Sequence, residues 1–520
     1  MASSLPPSSP DFSPVGLDYA AALRGRPPRA TGAPFTYVAC SVVDVDFLTA
    51  LAASNPEGQF WGLVEDPDLA ARAIAYAGSR GTPNVTFLES SPTSWSEFET
   101  RLGTQADYLV CSERTTALTP EERDTLFDLA ATILKPTGLF SYRYAVAPNG
   151  PALARFIVSE LAPNMTPEQS GAFLEEIETL GAAFFPREPE LYAALAEAIA
   201  TQNPEIFFNV CLRGGEPTVP EDTNVRLGLT QRNFAPLGSA EIRANYLELS
   251  TPSEAHESLL ACREHPLYES LKSLASARLA RSDVWCHLPA TASSNNAELF
   301  GSFVFGASLP PDSLPEVLES DGGFRLTRTD PLIANLLALM SSLPAGIGDF
   351  LAHPLGQKTN PQDVAAAVQM LVACGALCPM RARCTPPSMD LLRSAVWSVA
   401  YNKGWDEIDI TRPAVAFASP VVGRPVTLPA RHALVLQALL RKGYDNLVES
   451  LFHELQRITH LPALRASLSE VPEFTPELTL SIAQEVLRSE FVRWCAFGLV
   501  AATAESREED DAPSLRVADA

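Results

Sequence analysis

The chain has 520 residues, with 62 acidic side chains, 38 basic side chains and a formal net charge of −24. This excess of negative charge repels phosphate backbones and argues against a nucleic-acid partner. No uninterrupted apolar run is long enough to cross a bilayer, so no membrane span is predicted. A chain of this length is expected to fold into about two to four domains.

The N-terminal stretch is rich in Pro, Ser, Gly and Arg and has little periodicity. Residues 1–33 are therefore predicted to be a disordered arm. The stretch lacks the basic and apolar segments of a signal peptide. The nine cysteines are scattered through apolar contexts, which favours reduced thiols in a cytoplasmic protein.

A strand, a helix and a second strand are predicted at the start of the first domain. The strand-like runs are residues 37–40 and 60–64, and the helix-compatible segment between them is 47–53. This order is one βαβ unit of a parallel sheet.

The alternation of strands and helices continues to about residue 150. Further strands are predicted at 84–88, 107–111 and 139–144, and further helices at 69–77 and 120–135. Residues 34–150 are therefore predicted to have an α/β fold with a Rossmann-like, doubly wound sheet.

The remainder of the chain is predicted to be mostly helical. Residues 151–215 are predicted to be an amphipathic helical connection, and residues 216–310 contain both helix-like and strand-like segments. Residues 311–500 are predicted to form a C-terminal helical or winged-helix-like domain, because three helix patterns follow one another closely after residue 331. Residues 501–520 read as an acidic, disordered tail.

The first turn of the predicted sheet lacks the glycines of a nucleotide-binding βαβ unit. In such units glycines let the backbone approach the ligand, and an acidic residue ends the second strand to hold a ribose hydroxyl. Here residues 41–46 read SVVDVD, no glycine lies between Gly32 and Gly58, and the second strand ends in Val64. The sequence therefore predicts a βαβ unit that lacks the residues with which such units bind a nucleotide.

Six segments along the chain carry a family resemblance. They are residues 55–62 (NPEGQFWG), 134–138 (LKPTG), 234–240 (FAPLGSA), 245–250 (NYLELS), 281–285 (RSDVW) and 418–423 (ASPVVG). In this colinear order the chain resembles the class I S-adenosylmethionine-dependent methyltransferases that carry a methyltransferase regulatory domain. This is the bacterial group that includes protein-lysine methyltransferases. The resemblance assigns the regulatory domain to residues 216–310.

The resemblance also places a cofactor site on seven positions at which this chain departs from the family pattern. The family has an acidic residue and three glycines after its first strand, acidic residues for ribose and adenine, and a His-Gly pair after its fourth strand. The matching positions here are Ala39, Ser41, Val43, Val45, Val64, Ser90 and Ser112.

The chemistry of these replacements disfavours cofactor binding. Valine at position 64 cannot accept hydrogen bonds from ribose, which costs about 1–3 kcal/mol for each unpaired hydroxyl. Valines in the turn are expected to be strained wherever the turn needs a positive φ. Glu65 lies one residue late and, within a strand, is expected to point to the opposite face. The seven positions are therefore interpreted as a vestigial pocket.

A metal site is not predicted. Cys374, Cys378 and Cys384, with His353, do not have the spacing of a common tetrahedral zinc site.

Two functions remain open from the sequence. The first is a catalytically inactive methyltransferase-like protein that needs no cofactor and serves as a scaffold or regulatory partner of a protein methyltransferase or of its substrate. The alternative is an active S-adenosylmethionine-dependent protein (lysine) methyltransferase with an atypical pocket. The loss of the expected residue at every ligand position favours the first function.

Overall fold

The structure is a computed structural model. It describes residues 3–4, 11–112, 118–146, 150–161, 165–182, 184–212, 221–265, 267–278, 280–287, 296–308, 314–320, 322–382, 388–403, 414–459 and 475–502. Of the predicted acidic tail, all but the first two residues lie outside these ranges.

The strands of the described residues are β1 (Ser3–Ser4), β2 (Phe35–Ala39), β3 (Gly58–Val64), β4 (Val85–Glu89), β5 (Ala106–Cys111), β6 (Leu134–Ala145), β7 (Phe234–Ser239), β8 (Ala280–His287), β9 (Val304–Ala307), β10 (Val317–Glu319), β11 (Arg325–Thr327), β12 (Leu377–Met380), β13 (Ala395–Trp397), β14 (Ala414–Phe417), β15 (Val426–Pro429) and β16 (Val500–Ala502).

The α-helices of the first half are α1 (Pro14–Ala22), α2 (Val45–Ala53), α3 (Pro67–Ser79), α4 (Trp95–Leu102), α5 (Pro120–Ile133), α6 (Gly150–Leu161), α7 (Pro167–Leu180), α8 (Pro189–Thr201), α9 (Pro204–Leu212), α10 (Glu221–Gln231), α11 (Leu247–Ser250), α12 (His256–Ala261) and α13 (Tyr268–Ala275). Those of the second half are α14 (Asn296–Gly301), α15 (Pro331–Ser342), α16 (Ile347–Ala352), α17 (Pro361–Ala373), α18 (Met389–Ser394), α19 (Ala400–Lys403), α20 (Ala430–Lys442), α21 (Leu447–Thr459) and α22 (Pro476–Ala496).

A seven-stranded sheet organises the first half of the chain. Its strand order is β4-β3-β2-β5-β6-β8-β7. The strands from β4 to β6 run parallel, and β8 is antiparallel to both of its neighbours. The predicted α/β fold with a Rossmann-like sheet is therefore confirmed.

Helices cover both faces of this sheet. Side chains alternate between the two faces along each strand, so consecutive residues of one strand pack against different helices. Tyr37 of β2 packs in one core with residues of α1, α2 and α3. Val38, the next residue, packs in the opposite core with residues of α4, α5 and α10. The sheet is thus doubly wound, with β5 as the central one of its seven strands.

The sheet does not end at residue 150, where the sequence placed the boundary of the first domain. The strands β7 and β8 come from residues 216–310, which the sequence assigned to a separate regulatory domain. Seven residues of β8 pair with β6, from Ala280 opposite Ala145 to Cys286 opposite Leu139. The physical reason is that β6 would otherwise leave its outer edge unpaired.

The predicted disordered arm is also corrected within residues 11–33. Pro14–Ala22 forms helix α1, in which every residue is buried. Ser13 caps its N-terminus by accepting a hydrogen bond from the amide of Gly16, and Pro14 occupies the first turn. Burial between two cores orders this segment in spite of its composition.

Three further cores organise the rest of the chain. The first joins α6 to α9 with α12 and α13. The second contains the closely spaced helices α15, α16 and α17 and the pair β9–β12, and the third contains α20, α21 and α22. A winged helix in this region stays a prediction. No helix among the described residues is both long and apolar enough to cross a membrane.

Candidate functional site

The carboxyl ends of the parallel strands define the place where a ligand is expected. The chain proceeds from β2 outward to β3 and β4, and then crosses back to place β5 on the other side of β2. In doubly wound sheets, ligands bind in the crevice at such a reversal of strand order. The turn after β2 and the end of β5 meet there.

An open cleft of about 670 Å³ lies at this reversal. Its volume is within the range of small-molecule sites. The lining residues come from the segment before α1, the turn after β2, the first turns of α2 and α3, and the ends of β5 and β6; they are Phe12, Val43, Asp44, Val45, Asp46, Phe47, Leu69, Ser112 and Arg143.

Ser41 sets the shape of the turn after β2. Its φ is +54°, a left-handed conformation that favours glycine, and the residue is buried. The flanking amides of Cys40 and Val42 donate to Val110 and Leu63, at 2.8 and 2.9 Å, so the turn is fixed to both neighbouring strands. The position that matches the family's first glycine therefore keeps a backbone conformation typical of glycine.

Glu65 also reaches this turn. The Ser41 hydroxyl donates to Oε1 of Glu65 at 2.6 Å. The expectation that Glu65 points to the opposite face is therefore wrong, because β3 ends at Val64 and the alternation of a strand does not extend to the next residue.

The N-terminus of α2 is closed by the protein itself. The Asp44 side chain accepts a hydrogen bond from the amide of Phe47 at 2.9 Å. Free amides at a helix N-terminus would otherwise attract an anionic group of a ligand. Here the carboxylate of Asp44 takes that position.

The valines of the turn are not strained, contrary to the expectation from the sequence. Within residues 41–46, all of which the structure describes, Ser41 alone has a positive φ. Val45 begins α2 and packs in the core against that face of the sheet. Val43 is 62% exposed and lies along the cleft. Val43 therefore presents methyl groups to a ligand in the cleft, and its backbone does not adopt a positive φ.

The remaining predicted positions lie outside the cleft lining, except Ser112. Val64 is fully buried in the core at the end of β3. Ala39 is the last residue of β2, between Gly62 and Val110 of the neighbouring strands. Ser90 is buried after β4, with its hydroxyl 3.2 Å from that of Ser94. The structure thus brings Val43, Val45 and Ser112 together at the cleft.

Sequence reasoning missed one wall of the cleft. Phe12 belongs to the segment expected to be disordered, and the Tyr37 hydroxyl donates to its carbonyl oxygen at 2.9 Å. Leu69 and Arg143 contribute from α3 and β6. The βαβ pattern pointed to the ends of these strands, but it contains no signal for Phe12.

No group of three potential metal ligands occurs among the described residues. Cys374 and Cys378 are buried free thiols, and Cys384 lies outside the described residues.

No protein-family model and no curated protein sequence matches the chain. Solved structures do match its fold. The structure of PKMT2 from Rickettsia typhi superposes with a TM-score of 0.59, at 14% identity over 95% of this chain and 100% of that one. The structure of the same protein in complex with AdoHcy gives a TM-score of 0.61, at 16% identity over 95% of this chain and 99% of that one.

The chain has a methyltransferase-like fold. The agreement extends over nearly the whole length of both chains, so the resemblance stated from the sequence segments is confirmed at the level of the fold.

Proposed function

We propose that this chain is a methyltransferase-like protein without methyl-transfer activity. It acts as a scaffold or regulatory partner of a protein methyltransferase, or of the protein that such an enzyme modifies. The observation that carries the proposal is the lining of the cleft at the reversal of strand order, where Val43 presents hydrocarbon and Asp44 caps the N-terminus of α2.

Three features of the site disfavour cofactor binding. Asp44 caps α2, so the amide of Phe47 is already bonded and a negative charge faces any ligand carboxylate. Val43 presents methyl groups to the cleft. Val64 offers no acceptor at the end of β3, and ribose hydroxyls placed there would lose their hydrogen bonds to water. These residues do not fit S-adenosylmethionine as the family binds it.

A second candidate function rests on Glu65. Its carboxylate lies beside the turn at Ser41, which keeps the left-handed backbone of the family's first glycine. An acidic side chain there offers ribose an acceptor from a neighbouring position. In this case the chain is a protein (lysine) methyltransferase with an atypical pocket, and the PKMT2 structure with AdoHcy, to which its fold is similar, supports this candidate.

Calorimetric titration of the full chain with S-adenosylmethionine and with AdoHcy separates the two functions. The first function predicts no saturable heat up to millimolar ligand, whereas micromolar binding would overturn it. If binding occurs, Glu65→Ala should abolish it and Asp68→Ala, an exposed acid at the start of α3, should leave it unchanged. PKMT2 is the positive control.

The partner is tested by copurification from the native host followed by mass spectrometry. The first function predicts a methyltransferase or a methylated protein among the stoichiometric partners. Cytoplasmic location is part of this proposal, supported by the eight cysteines in the described part of the chain, all of which are free thiols.

A further inference from the structure

A second pocket, separate from the cleft, lies between helix α13, the strands β7 and β8, and the residues that follow α1. Its volume is about 60 Å³, which is room for roughly four water molecules. The pocket and the cleft share no lining residue. A nucleotide does not fit this volume, but one small polyatomic ion does.

Basic side chains outnumber acidic ones around this pocket, although the chain as a whole is strongly acidic. Arg24, Lys272, Arg278 and Arg281 line it, together with the two carboxylates of Glu269 and Asp283.

Both of these carboxylates are engaged by Arg281. A terminal nitrogen of Arg281 lies 2.6 Å from Oε2 of Glu269, and the other terminal nitrogen lies 3.2 Å from Oδ1 of Asp283. Asp283 also accepts a hydrogen bond from the Tyr144 hydroxyl at 2.5 Å. Arg278 is paired with Glu241 through two hydrogen bonds of 2.8 and 2.9 Å. Arg226 lies 3.5 Å from the other carboxylate oxygen of Glu269, so these three arginines and three carboxylates form a neutral frame.

Arg24 and Lys272 have no such partner. Within the described part of the chain, no carboxylate lies within 4.0 Å of either cation. Nε of Arg24 donates to the carbonyl of Leu237 at 3.0 Å, and Nζ of Lys272 donates to that of Ala244 at 2.8 Å. Neither side chain makes another hydrogen bond to the residues that the structure describes, so their remaining donors can serve a ligand.

The surroundings of Lys272 concentrate positive charge. Burial lowers the pKa of its ammonium group, Glu269 opposes that change, and three arginines (Arg281, Arg24 and Arg278) lower the pKa further. An anion beside Lys272 would offset this repulsion.

We propose that this pocket binds one phosphate-type dianion, either free phosphate or the phosphoryl group of a small monoester. The two unpaired cations match its two charges. The fork of Arg24 and the point charge of Lys272 are the side chains that commonly bind such groups. The ligand would connect the segment after α1 to α13, since Arg24 and Lys272 lie on those two elements.

Isothermal titration of the full chain with inorganic phosphate, at constant ionic strength and with chloride as the reference anion, tests this site. The wild-type chain should give saturable binding at one site. Arg24→Gln and Lys272→Gln should each weaken it at least tenfold. Lys358→Gln, which removes an exposed lysine far along the chain, should bind like the wild type.

Phosphate also stabilises proteins through exclusion from their surfaces, so a rise in Tm alone does not count as support. Absence of a saturable phosphate heat in the wild type overturns the proposal. Equal affinity in Arg24→Gln overturns it as well, and this variant keeps the test decisive if Lys272→Gln does not fold, because Arg24 is exposed. A titration with phosphoserine, compared with phosphate, identifies which source binds more tightly.

Discussion

The carboxyl group of Asp18 is buried in the core of the first sheet, and its pKa is raised. Burial in α1 raises its pKa from 3.8 to about 6, and the hydrogen bond from Tyr108, at 2.8 Å, and the charge of Arg29 only partly offset this rise. The folded state therefore holds the proton more tightly than the unfolded chain. The stabilisation is complete below pH 3.8 and is lost as the pH rises through about 6.

Asp18→Asn should remove this pH dependence. Asparagine keeps an acceptor for Tyr108 without the buried charge, so the variant should exceed the wild type in free energy of unfolding by about 3 kcal/mol at pH 7. The difference should disappear near pH 4. Urea unfolding at both pH values measures it, with the exposed Asp445→Asn as the control for loss of charge. An equal difference at the two pH values would contradict the assignment to Asp18.

At the candidate site, the sequence located the turn after β2 but not the directions of the side chains around it. It placed the turn at residues 41–46 correctly, between β2 and α2. It misjudged Glu65, because period-two alternation applies only within a strand and β3 stops one residue earlier. It also misjudged the turn valines, because φ depends on the path of the turn and not on the family's glycine spacing.

At the scale of elements, segments with a clear hydrophobic periodicity were predictable from the sequence. A helix that is buried on all sides was not. The predicted strands and helices of residues 35–145 all occur, since each alternates clearly with its neighbours. Helix α1 was missed because all of its residues are buried and it therefore lacks a polar face. Strands β7 and β8 could be recognised as strand-like, but their membership of the first sheet depends on a pairing across more than 130 residues.

Tyr19 is well placed to test whether α1 is folded and packed against the rest of the structure. Its ring is fully buried and contacts Phe300, Phe303 and Phe305 edge-on, with centroids 5.5, 5.4 and 6.2 Å away. Tyr19→Ala would leave a cavity between two cores and should lower the free energy of unfolding by about 3–5 kcal/mol.

Tyr19→Phe is the matched control for this cavity. It keeps the ring and removes only the hydroxyl, which is buried without a hydrogen-bond partner among the described residues, so it should be neutral or slightly stabilising. Chemical unfolding followed by tryptophan fluorescence compares the variants. If residues 1–33 were a disordered arm, both substitutions would have no effect.

At the scale of the whole molecule, the C-terminal region packs against α3 and against the residues that connect α2 to β3. The Asn55 side chain donates to the carbonyl of Gly423 at 2.9 Å, and the Ser54 hydroxyl accepts from the amide of Ser419 at 3.0 Å. The hydroxyls of Tyr76 and Tyr401 lie 3.3 Å apart. No local pattern predicts such contacts between residues more than 300 positions apart, and the match of PKMT2 over 95% of the chain indicates that the arrangement belongs to the fold.

Arg381 is the charged centre of this docking interface. Its guanidinium pairs with Glu57 and donates to Oδ1 of Asn55 at 2.9 Å, and its side chain is only 12% exposed. Replacing it alone, as Arg381→Met, leaves the Glu57 carboxylate, whose side chain is 15% exposed, with Arg29 as its remaining ion pair, at 3.8 Å. The expected loss is about 3 kcal/mol in the free energy of unfolding, because the Glu57 carboxylate then keeps only its longer ion pair with Arg29 in a largely water-excluded interface.

The double variant Arg381→Met/Glu57→Met separates the ion pair from the packing around it. Removing both charges should recover much of the loss, whereas additive effects of the two single substitutions would show that the pair is not coupled. Differential scanning calorimetry adds a readout specific to docking. In Arg381→Met the C-terminal region should unfold in a separate transition at lower temperature, because its ion pair with Glu57 is gone. A single transition at the wild-type temperature would contradict the role assigned to Arg381.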